Sequence, residues 1–355
     1  MLRLAEQDKL TCLGVNLSRL DAVADYVASV TQERFPDLAI PPHSRWRHFE
    51  VGGIDRRPLY PPDAASRLEL CIVSVLLDAG AGSRWRYQEP RTGLTLTRSE
   101  GLAVVSLHAF RAGIFSSDPS DPMRADAGGL QAASEKVLTS AFQAGPDNPI
   151  DGLAGRAALT CRLGQVLRDR KAERLTDLFR PLLESRSVAA RDMLITLLET
   201  LAPIWPRPLG DVWPHPILRL VPFHKLSQWL SYSLIELLQA EGVTVTGQDA
   251  LTGLPEYRNG GLFLDSGVLN LRDPDLAKTE LPVDHPAIVE WRALTVALLD
   301  RLLPLVRFRL GPPAANLTMA QFLEGGTWEA GRRIARERRG DLSPPLRIRS
   351  DGSVF

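Results

Sequence analysis

Three polar side chains in residues 219–240 are suited to binding a polar, oxygen-rich ligand. Lys225, Gln228 and Tyr232 lie three and four positions apart, so a helix would place a cation, an amide and a phenol on one face. Trp229 and several leucines occupy the other side of this helix, which predicts packing against a core. The same pattern is also typical of an amphipathic helix whose polar side meets water or another helix.

Residues 251–269 contribute a carboxylate next to an arginine. Glu256, Tyr257 and Arg258 stand between a proline and the sequence Asn-Gly-Gly, which predicts a sharp turn that presents their side chains. On such a turn the carboxylate can stabilise a developing positive charge or activate water, and the arginine can hold a phosphate. A solvent-exposed hairpin with a surface ion pair explains the same residues. Asp265 is a second candidate carboxylate in this segment.

A third set of candidates lies nearer the N-terminus. Asp78 precedes a glycine-rich run, and Trp85 and Tyr87 follow it. Backbone amides in such a turn can face an anion, and the aromatic rings can stack on a base or a sugar. The alternative interpretation of the same residues is the end of a helix followed by packed aromatic side chains. His108 is either an acid–base group or a core histidine that donates to a backbone carbonyl.

Most of the elements that must position these side chains are predicted to be helices. Apolar residues repeat at spacings of three and four through most of the chain, which predicts a mainly α fold with a minor β element. The predicted helices are 64–77, 131–143, 155–169, 173–185, 189–202, 225–240, 286–303 and 318–338. Strand patterns are short, at 242–247 and 261–269, and residues 101–110 fit either a strand or a buried helix.

Charge and length limit the kinds of protein that this sequence can encode. The 355 residues carry 42 basic and 42 acidic side chains, which lacks the surplus of positive charge that duplex nucleic acid requires. We predict a single domain over residues 1–355, with a subdivision near the proline-rich stretch 203–216 and a polar tail at 340–355. No signal-peptide pattern and no membrane-spanning apolar run occur, so a cytoplasmic protein without membrane partners is expected.

Established catalytic and metal-binding signatures do not occur in the sequence. It contains no Walker A loop, dinucleotide fingerprint, HExxH or GxSxG motif. Its three cysteines are widely spaced, and its six histidines lack the spacing of metal ligands. Neither a metal nor a cofactor is therefore expected.

Three segments resemble one protein family. The segments DAGAGSRWRYQE, DNPIDGLAGR and VPFHKLSQWLSYSL are similar to those of the uracil-catabolism family of fungi and bacteria, which acts in the ring-opening URC pathway. The resemblance covers nearly the whole chain. It implies a role in pyrimidine degradation, downstream of a cyclohydrolase-like enzyme, where ribosylurea compounds occur and urea is released.

A more distant resemblance implies a reaction. Queuosine-salvage nucleotide glycosidases have a Lys-Arg-Ala-Gln helix start, an Asp-Tyr-Arg turn and a Glu-x-Arg-Ala helix. Similar positions here read Lys225-Leu226-Ser227-Gln228, Glu256-Tyr257-Arg258 and Glu290-Trp291-Arg292-Ala293. Those enzymes have an α-helical fold related to DNA glycosylases and cut an N-ribosidic bond, which implies a multi-helix, DNA-glycosylase-like globular fold here. The sequence departs from that family in having Glu256 for the aspartate and Asn259-Gly260-Gly261 after the arginine.

The sequence therefore predicts an enzyme of uracil catabolism, an N-ribosidase that hydrolyses ribosylurea or its phosphate. The candidate catalytic residues are Glu256, Asp265 and Lys225. The candidate substrate-binding residues are Asp78, Trp85, Tyr87, His108, Gln228, Trp229, Tyr232, Tyr257, Arg258, Glu290 and Arg292. The expected partner is a small ribosyl or nucleotide substrate, and the oligomeric state is left open. Phosphoribosyl transfer and non-catalytic binding of a pyrimidine-derived intermediate are the alternatives, and a nucleic-acid glycosylase has least support because the net charge is zero.

Overall fold

A computed structural model describes residues 1–349, which are mainly helical with short strands. The α-helices are α1 (Leu2–Glu6), α2 (Leu20–Arg34), α3 (Arg45–His48), α4 (Ala64–Leu76), α5 (Arg98–Arg111), α6 (Ala127–Ala132), α7 (Glu135–Ala141), α8 (Leu153–Asp169), α9 (Arg180–Glu184), α10 (Ala190–Leu201), α11 (Lys225–Ala240), α12 (Tyr257–Asp265), α13 (Pro286–Leu310), α14 (Met319–Phe322) and α15 (Trp328–Arg339). The predicted fold class, mainly α with a minor β element, is confirmed. The likeness of its helix arrangement to DNA glycosylases stays a prediction.

The strands are two to four residues long and pair two by two in the described residues. They are β1 (Leu13–Val15), β2 (Tyr87–Gln88), β3 (Thr95–Leu96), β4 (Ser187–Ala189), β5 (Val212–His215), β6 (Arg219–Pro222), β7 (Thr244–Thr246), β8 (Leu269–Leu271), β9 (Glu280–Pro282) and β10 (Arg347–Arg349). The antiparallel pairs are β1–β8, β2–β3 and β5–β6, and the parallel pairs are β4–β7 and β9–β10. Such small sheets tie distant segments together rather than form a layer of their own.

Most of the long predicted helices are confirmed, because amphipathic periodicity is a local property of the sequence. Residues 101–110 belong to helix α5, and residues 131–143 divide into the end of α6 and α7. Residues 173–185 form a 3-10 turn (Leu175–Leu178) followed by α9, which carries Pro181 in its first turn. Proline is tolerated there because its missing N–H would have no partner within the helix.

The predicted strand at residues 261–269 is wrong. Residues Tyr257–Asp265 form helix α12, and only Leu269–Leu271 is a strand. A Cβ atom on Gly260 would lie 2.7 Å from the indole ring of Trp291, so this glycine lets α12 approach α13 closely. Gly260 therefore serves helix packing instead of a turn.

The described chain forms two compact units. The first contains Met1–His43, Asp211–Lys225 and Gln248–Arg349, and the second contains Ser44–Gly210 and Leu226–Gly247. In the first unit α13 packs against α2, and α12 packs against α15. In the second unit α8 packs against α6 and α7, and α4 packs against α5.

Of the tail predicted at residues 340–355, Arg347–Arg349 form strand β10 and pair with β9. The last six residues, 350–355, lie outside the described residues. Within residues 1–349, no helix combines the length and the apolar character needed to cross a membrane.

A π-helical turn, Leu323–Thr327, separates α14 from α15. A Cβ atom on Gly325 would lie 2.9 Å from the Ile40 side chain, and one on Gly326 would lie 2.6 Å from Val27. The two glycines therefore allow the backbone of the turn to approach its neighbours closely.

Candidate functional site

Glu256 lies at the start of helix α12 in the first unit. Its two carboxylate oxygens accept hydrogen bonds from the backbone N–H groups of Arg258, at 2.7 Å, and Asn259, at 2.6 Å. These N–H groups have no partner within the helix, so the carboxylate serves as an N-terminal cap. The side chain is buried. The predicted sharp turn at residues 256–258 is therefore wrong, and so is the exposed hairpin, since these residues begin a buried helix.

Opposing influences set the pKa of Glu256. Burial raises it above the ordinary value of 4.5, because a carboxylate loses the hydration of its negative charge. The two backbone hydrogen bonds and the positive charges of Lys225 and Arg258 act in the opposite direction without cancelling that effect. The carboxylate thus lies in the electrostatic field of two cations, at the end of a helix where the backbone dipole also favours negative charge.

Arg258 has structural contacts besides its charge effect on Glu256. Its guanidinium donates to the backbone oxygen of Leu342 at 2.8 Å and lies 4.7 Å from the centre of the Tyr257 ring. Arg258 is buried, and Tyr257 is half-buried. The sequence Glu256-Tyr257-Arg258 thus combines a helix cap with a stacked cation.

A buried ion pair joins Asp211 to Arg292 in the same unit. The guanidinium donates two hydrogen bonds of 2.7 Å, one to each oxygen of Asp211. Trp213 donates to Asp211 at 2.6 Å, and the backbone N–H of Lys225 donates at 3.0 Å. Burial alone would raise the pKa of Asp211, but Arg292 and these hydrogen bonds outweigh it and keep the pKa below its ordinary value. Phe223 covers the guanidinium, with its ring centre 4.1 Å away.

Asp211 thereby connects two elements that carry predicted site residues. It binds the backbone at the first residue of α11, and it fixes the side chain of Arg292 on α13. No motif in the sequence singles out Asp211, which lies 81 positions before Arg292 in a stretch that resembles an irregular connector. The neighbouring tryptophan at position 213 is the one signal that a buried contact is present there.

Glu290 and Asp265 have binding partners that explain their positions. Glu290 is fully buried and accepts hydrogen bonds from the backbone N–H groups of Thr11, Cys12 and Leu13, so it anchors the start of β1. Asp265 accepts two hydrogen bonds from Arg339, at 2.7 and 2.6 Å. It lies at the opposite end of α12 from Glu256, about 13 Å along the helix axis. The first unit therefore couples Lys225, Glu256 and Arg258, and it does not bring Asp265 to them.

The remaining candidates belong to the second unit. Asp78 follows α4 and accepts hydrogen bonds from Arg45, at 2.5 Å, and from Ser99. Arg45 is completely buried and also donates to Ser74 at 2.5 Å. His48 approaches the Ser99 hydroxyl through Nδ1 at 2.8 Å. Asp78 is thus the acidic member of a buried polar network that no sequence motif indicated.

Trp229 lies against this network. Its ring centre is 5.2 Å from that of His48 and 5.4 Å from the guanidinium carbon of Arg45. Gln228 and Tyr232 are buried on the same helix, α11. Every residue from Leu226 to Ile235 of this helix is buried, so Gln228 and Tyr232 of the predicted polar face do not meet water, whereas Lys225 is half-buried.

Trp85, Tyr87 and His108 form a separate aromatic group in the second unit. The Trp85 indole donates to the backbone oxygen of Phe142 at 2.9 Å, and its ring stacks on that of Tyr87 with centres 6.5 Å apart. His108 contacts Glu89 at 2.8 Å through Nε2. The predicted role of His108 as a core histidine bonded to a backbone carbonyl is wrong, since its partner is a carboxylate.

These features define a mainly helical protein with a buried carboxylate in the field of two cations and a separate buried Asp–Arg pair. Among the described residues, no group of three or more His, Cys, Asp or Glu side chains is arranged to hold a metal ion. The chain belongs to the family described as "Protein of unknown function (DUF1688)", whose model matches residues 1–355.

Two curated proteins are similar to the chain over nearly their full lengths. It is 40% identical to Protein urg3 of Schizosaccharomyces pombe, over 100% of this chain and 95% of that protein. It is 35% identical to Uracil catabolism protein 4 of Lachancea kluyveri, over 96% of this chain and 91% of that protein. The family membership predicted from the three sequence segments is confirmed.

Proposed function

We propose that the chain acts in uracil catabolism as an N-ribosidase, which hydrolyses ribosylurea or its phosphate to urea and a ribose product. The name of the Lachancea kluyveri relative, Uracil catabolism protein 4, supports the role in uracil catabolism, because the similarity extends over almost the whole of both chains. The observation that carries the reaction is Glu256, a buried carboxylate fixed by two backbone N–H groups and influenced by Lys225 and Arg258.

The chemistry requires a fixed negative charge close to the sugar. As the bond between C1′ and the urea nitrogen breaks, its electron pair stays on nitrogen and positive charge develops on the ribose ring. Water then forms a bond to C1′ and releases a proton, while the departing nitrogen gains one. Glu256 stabilises the positive charge and orients the water, and its backbone hydrogen bonds remove the need for it to reorganise during the reaction.

The two cations fit the other end of the substrate. Arg258 offers a planar guanidinium for a phosphate group, and Lys225 either anchors that phosphate or protonates the departing nitrogen. Asp211 is less suited than Glu256 to stabilise the sugar, because both of its oxygens bind the guanidinium of Arg292, which neutralises the charge of the carboxylate. Asp265 is likewise bound through both oxygens to Arg339.

A non-catalytic binding protein is the second candidate function, and one observation favours it. Both oxygens of Glu256 already accept backbone hydrogen bonds, so capping α12 would by itself account for a buried carboxylate at this position. In that case the chain would hold a pyrimidine-derived intermediate without converting it.

Urea release distinguishes these functions. We expect the purified wild-type protein to release urea from synthetic ribosylurea or from its phosphate, measured by a coupled urea assay with substrate integrity checked in parallel. Comparison of the two substrates shows whether the phosphate contributes to recognition. Folded protein that binds either compound and releases no urea would replace the hydrolase proposal with the binding function.

The pH profile tests the link between Lys225 and Glu256. Glu256 acts as a carboxylate, so activity declines when the pH falls through its raised pKa, which lies above 4.5. Lys225→Met removes a positive charge that lowers this pKa, so the acid limb of kcat/KM should move to higher pH in the variant. Lys136→Met, which changes an exposed lysine on α7, is the control and should leave the limb in place. If the acid limb of kcat/KM stays in place in Lys225→Met, the charge of Lys225 does not influence Glu256.

A further inference from the structure

The second unit contains a cavity that the proposed reaction does not use. It has a volume of about 460 Å³ and is lined by Leu59, Tyr87, Pro90, Arg91, His108 and Arg111. This volume falls within the range of pockets that hold small organic ligands. One part of the lining is apolar or aromatic, and the other part is cationic.

Two arginines give the cavity a positive charge that nearby carboxylates do not neutralise. Arg91 is exposed and has no hydrogen-bond or ion-pair partner among residues 1–349. Arg111 donates to the backbone oxygen of Leu59 at 3.3 Å and forms no ion pair with a carboxylate in that part of the chain. Guanidinium groups in this state are available to bind an anion through charge-assisted hydrogen bonds.

A buried ion pair holds the cavity wall in place. Glu89 is fully buried and accepts hydrogen bonds from Arg56, at 2.9 Å through Nε, and from Thr92, at 2.5 Å. The same carboxylate binds Nε2 of His108, whose ring centre lies 6.4 Å from that of Tyr87. Arg56 thus balances the charge of Glu89, and the contacts of His108 with Glu89 and Tyr87 hold the two rings that line the cavity.

We propose that this cavity binds a small organic phosphate with a flat ring, of the class of a nucleoside monophosphate. Arg91 and Arg111 bind the phosphate, and Leu59, Pro90 and the Tyr87 ring contact the flat ring. The proposal rests on the second unit alone and does not depend on the ribosidase reaction.

Calorimetric titration with uridine monophosphate tests the ligand class, with uridine and inorganic phosphate as the two partial ligands. We expect uridine monophosphate to bind more tightly than either part. Arg91→Ala should weaken its binding at least about tenfold, the scale of one charge-assisted hydrogen bond. Arg191→Ala, which removes an exposed arginine on α10, is the matched control and should bind as the wild type does.

Photo-crosslinking separates this cavity from the proposed active site. With 5-iodouridine monophosphate near its wild-type Kd, the crosslinked peptides should contain Tyr87 or His108, and Arg91→Ala should strongly reduce the yield of those products. The Glu256→Gln variant should give the same crosslinks, because Glu256 belongs to the other unit. Crosslinks confined to other peptides, or equal affinity in wild type and Arg91→Ala, would overturn the proposal whether or not the protein releases urea.

Discussion

Glu256→Gln should reduce the rate of urea release at least about 100-fold while the protein stays folded. The amide cannot supply the negative charge that stabilises the ribosyl cation, and one positioned catalytic group contributes on this scale. The amide keeps one oxygen as an acceptor for the backbone N–H groups at the start of α12, so the cap is weakened and not removed. Initial rates at saturating ribosylurea or its phosphate measure the effect.

Asp63→Asn is the matched control, because it makes the same carboxylate-to-amide change at another helix cap. Asp63 accepts a hydrogen bond from the backbone N–H of Ser66 at 2.8 Å and caps α4. Each variant should lose about 1 kcal/mol of folding stability or less, measured by denaturation, but only Glu256→Gln should lose activity. Near-normal turnover in folded Glu256→Gln would remove this carboxylate from the mechanism.

Asp211→Asn should lower the free energy of unfolding by about 3–5 kcal/mol. The substitution leaves the guanidinium of Arg292 buried without its carboxylate, and breaking a buried ion pair in this way is more costly than replacing both partners. The same change weakens the hydrogen bond that holds the backbone at Lys225. The loss is measured by denaturation with guanidinium chloride. Urea is avoided as the denaturant, because it is the expected product of the reaction.

Two further variants show whether the ion pair is the cause. Asp284→Asn changes an exposed aspartate of the same unit and should leave stability within about 0.5 kcal/mol of the wild type. Asp211→Asn combined with Arg292→Gln should recover part of the stability lost by the single variant, because no unpaired charge remains. A single variant as stable as the wild type would show that the pair contributes little to folding.

Local patterns predicted much of the secondary structure. The helices α4, α8, α10, α11 and α13 follow apolar periodicities that each segment carries in itself. Helix α12 did not follow from such a pattern, because Gly260 and Gly261 are read as a turn when their neighbours in space are unknown. Trp291 supplies the missing reason, since its indole donates to the backbone oxygen of Gly260 at 2.9 Å and occupies the space that a side chain would need.

The candidate site was predictable only in part. Resemblance to other families pointed to Lys225, Glu256 and Arg258, and the structure couples their charges within one unit. Asp211 gave no comparable signal, because its significance comes from Arg292, a partner distant in sequence. Asp78 was a candidate, but its partners Arg45 and His48 were missed for the same reason, since arginines and histidines of isolated segments resemble surface residues until their burial is known.

The π-helical turn at Leu323–Thr327 determines which face of α15 packs against the rest of the first unit. Such a turn amounts to one extra residue in an α-helix, and each residue rotates the following helix by about 100°. This phase places Gly331 of α15 against the start of α12, where a Cβ atom would lie only 2.2 Å from the backbone oxygen of Arg258. If the same residues formed a regular α-helix instead, Ala330 would take that position, and its Cβ atom would meet the backbone of Arg258. The start of α12, where Glu256 forms the helix cap, thus depends on the wide turn almost 70 positions further along the chain.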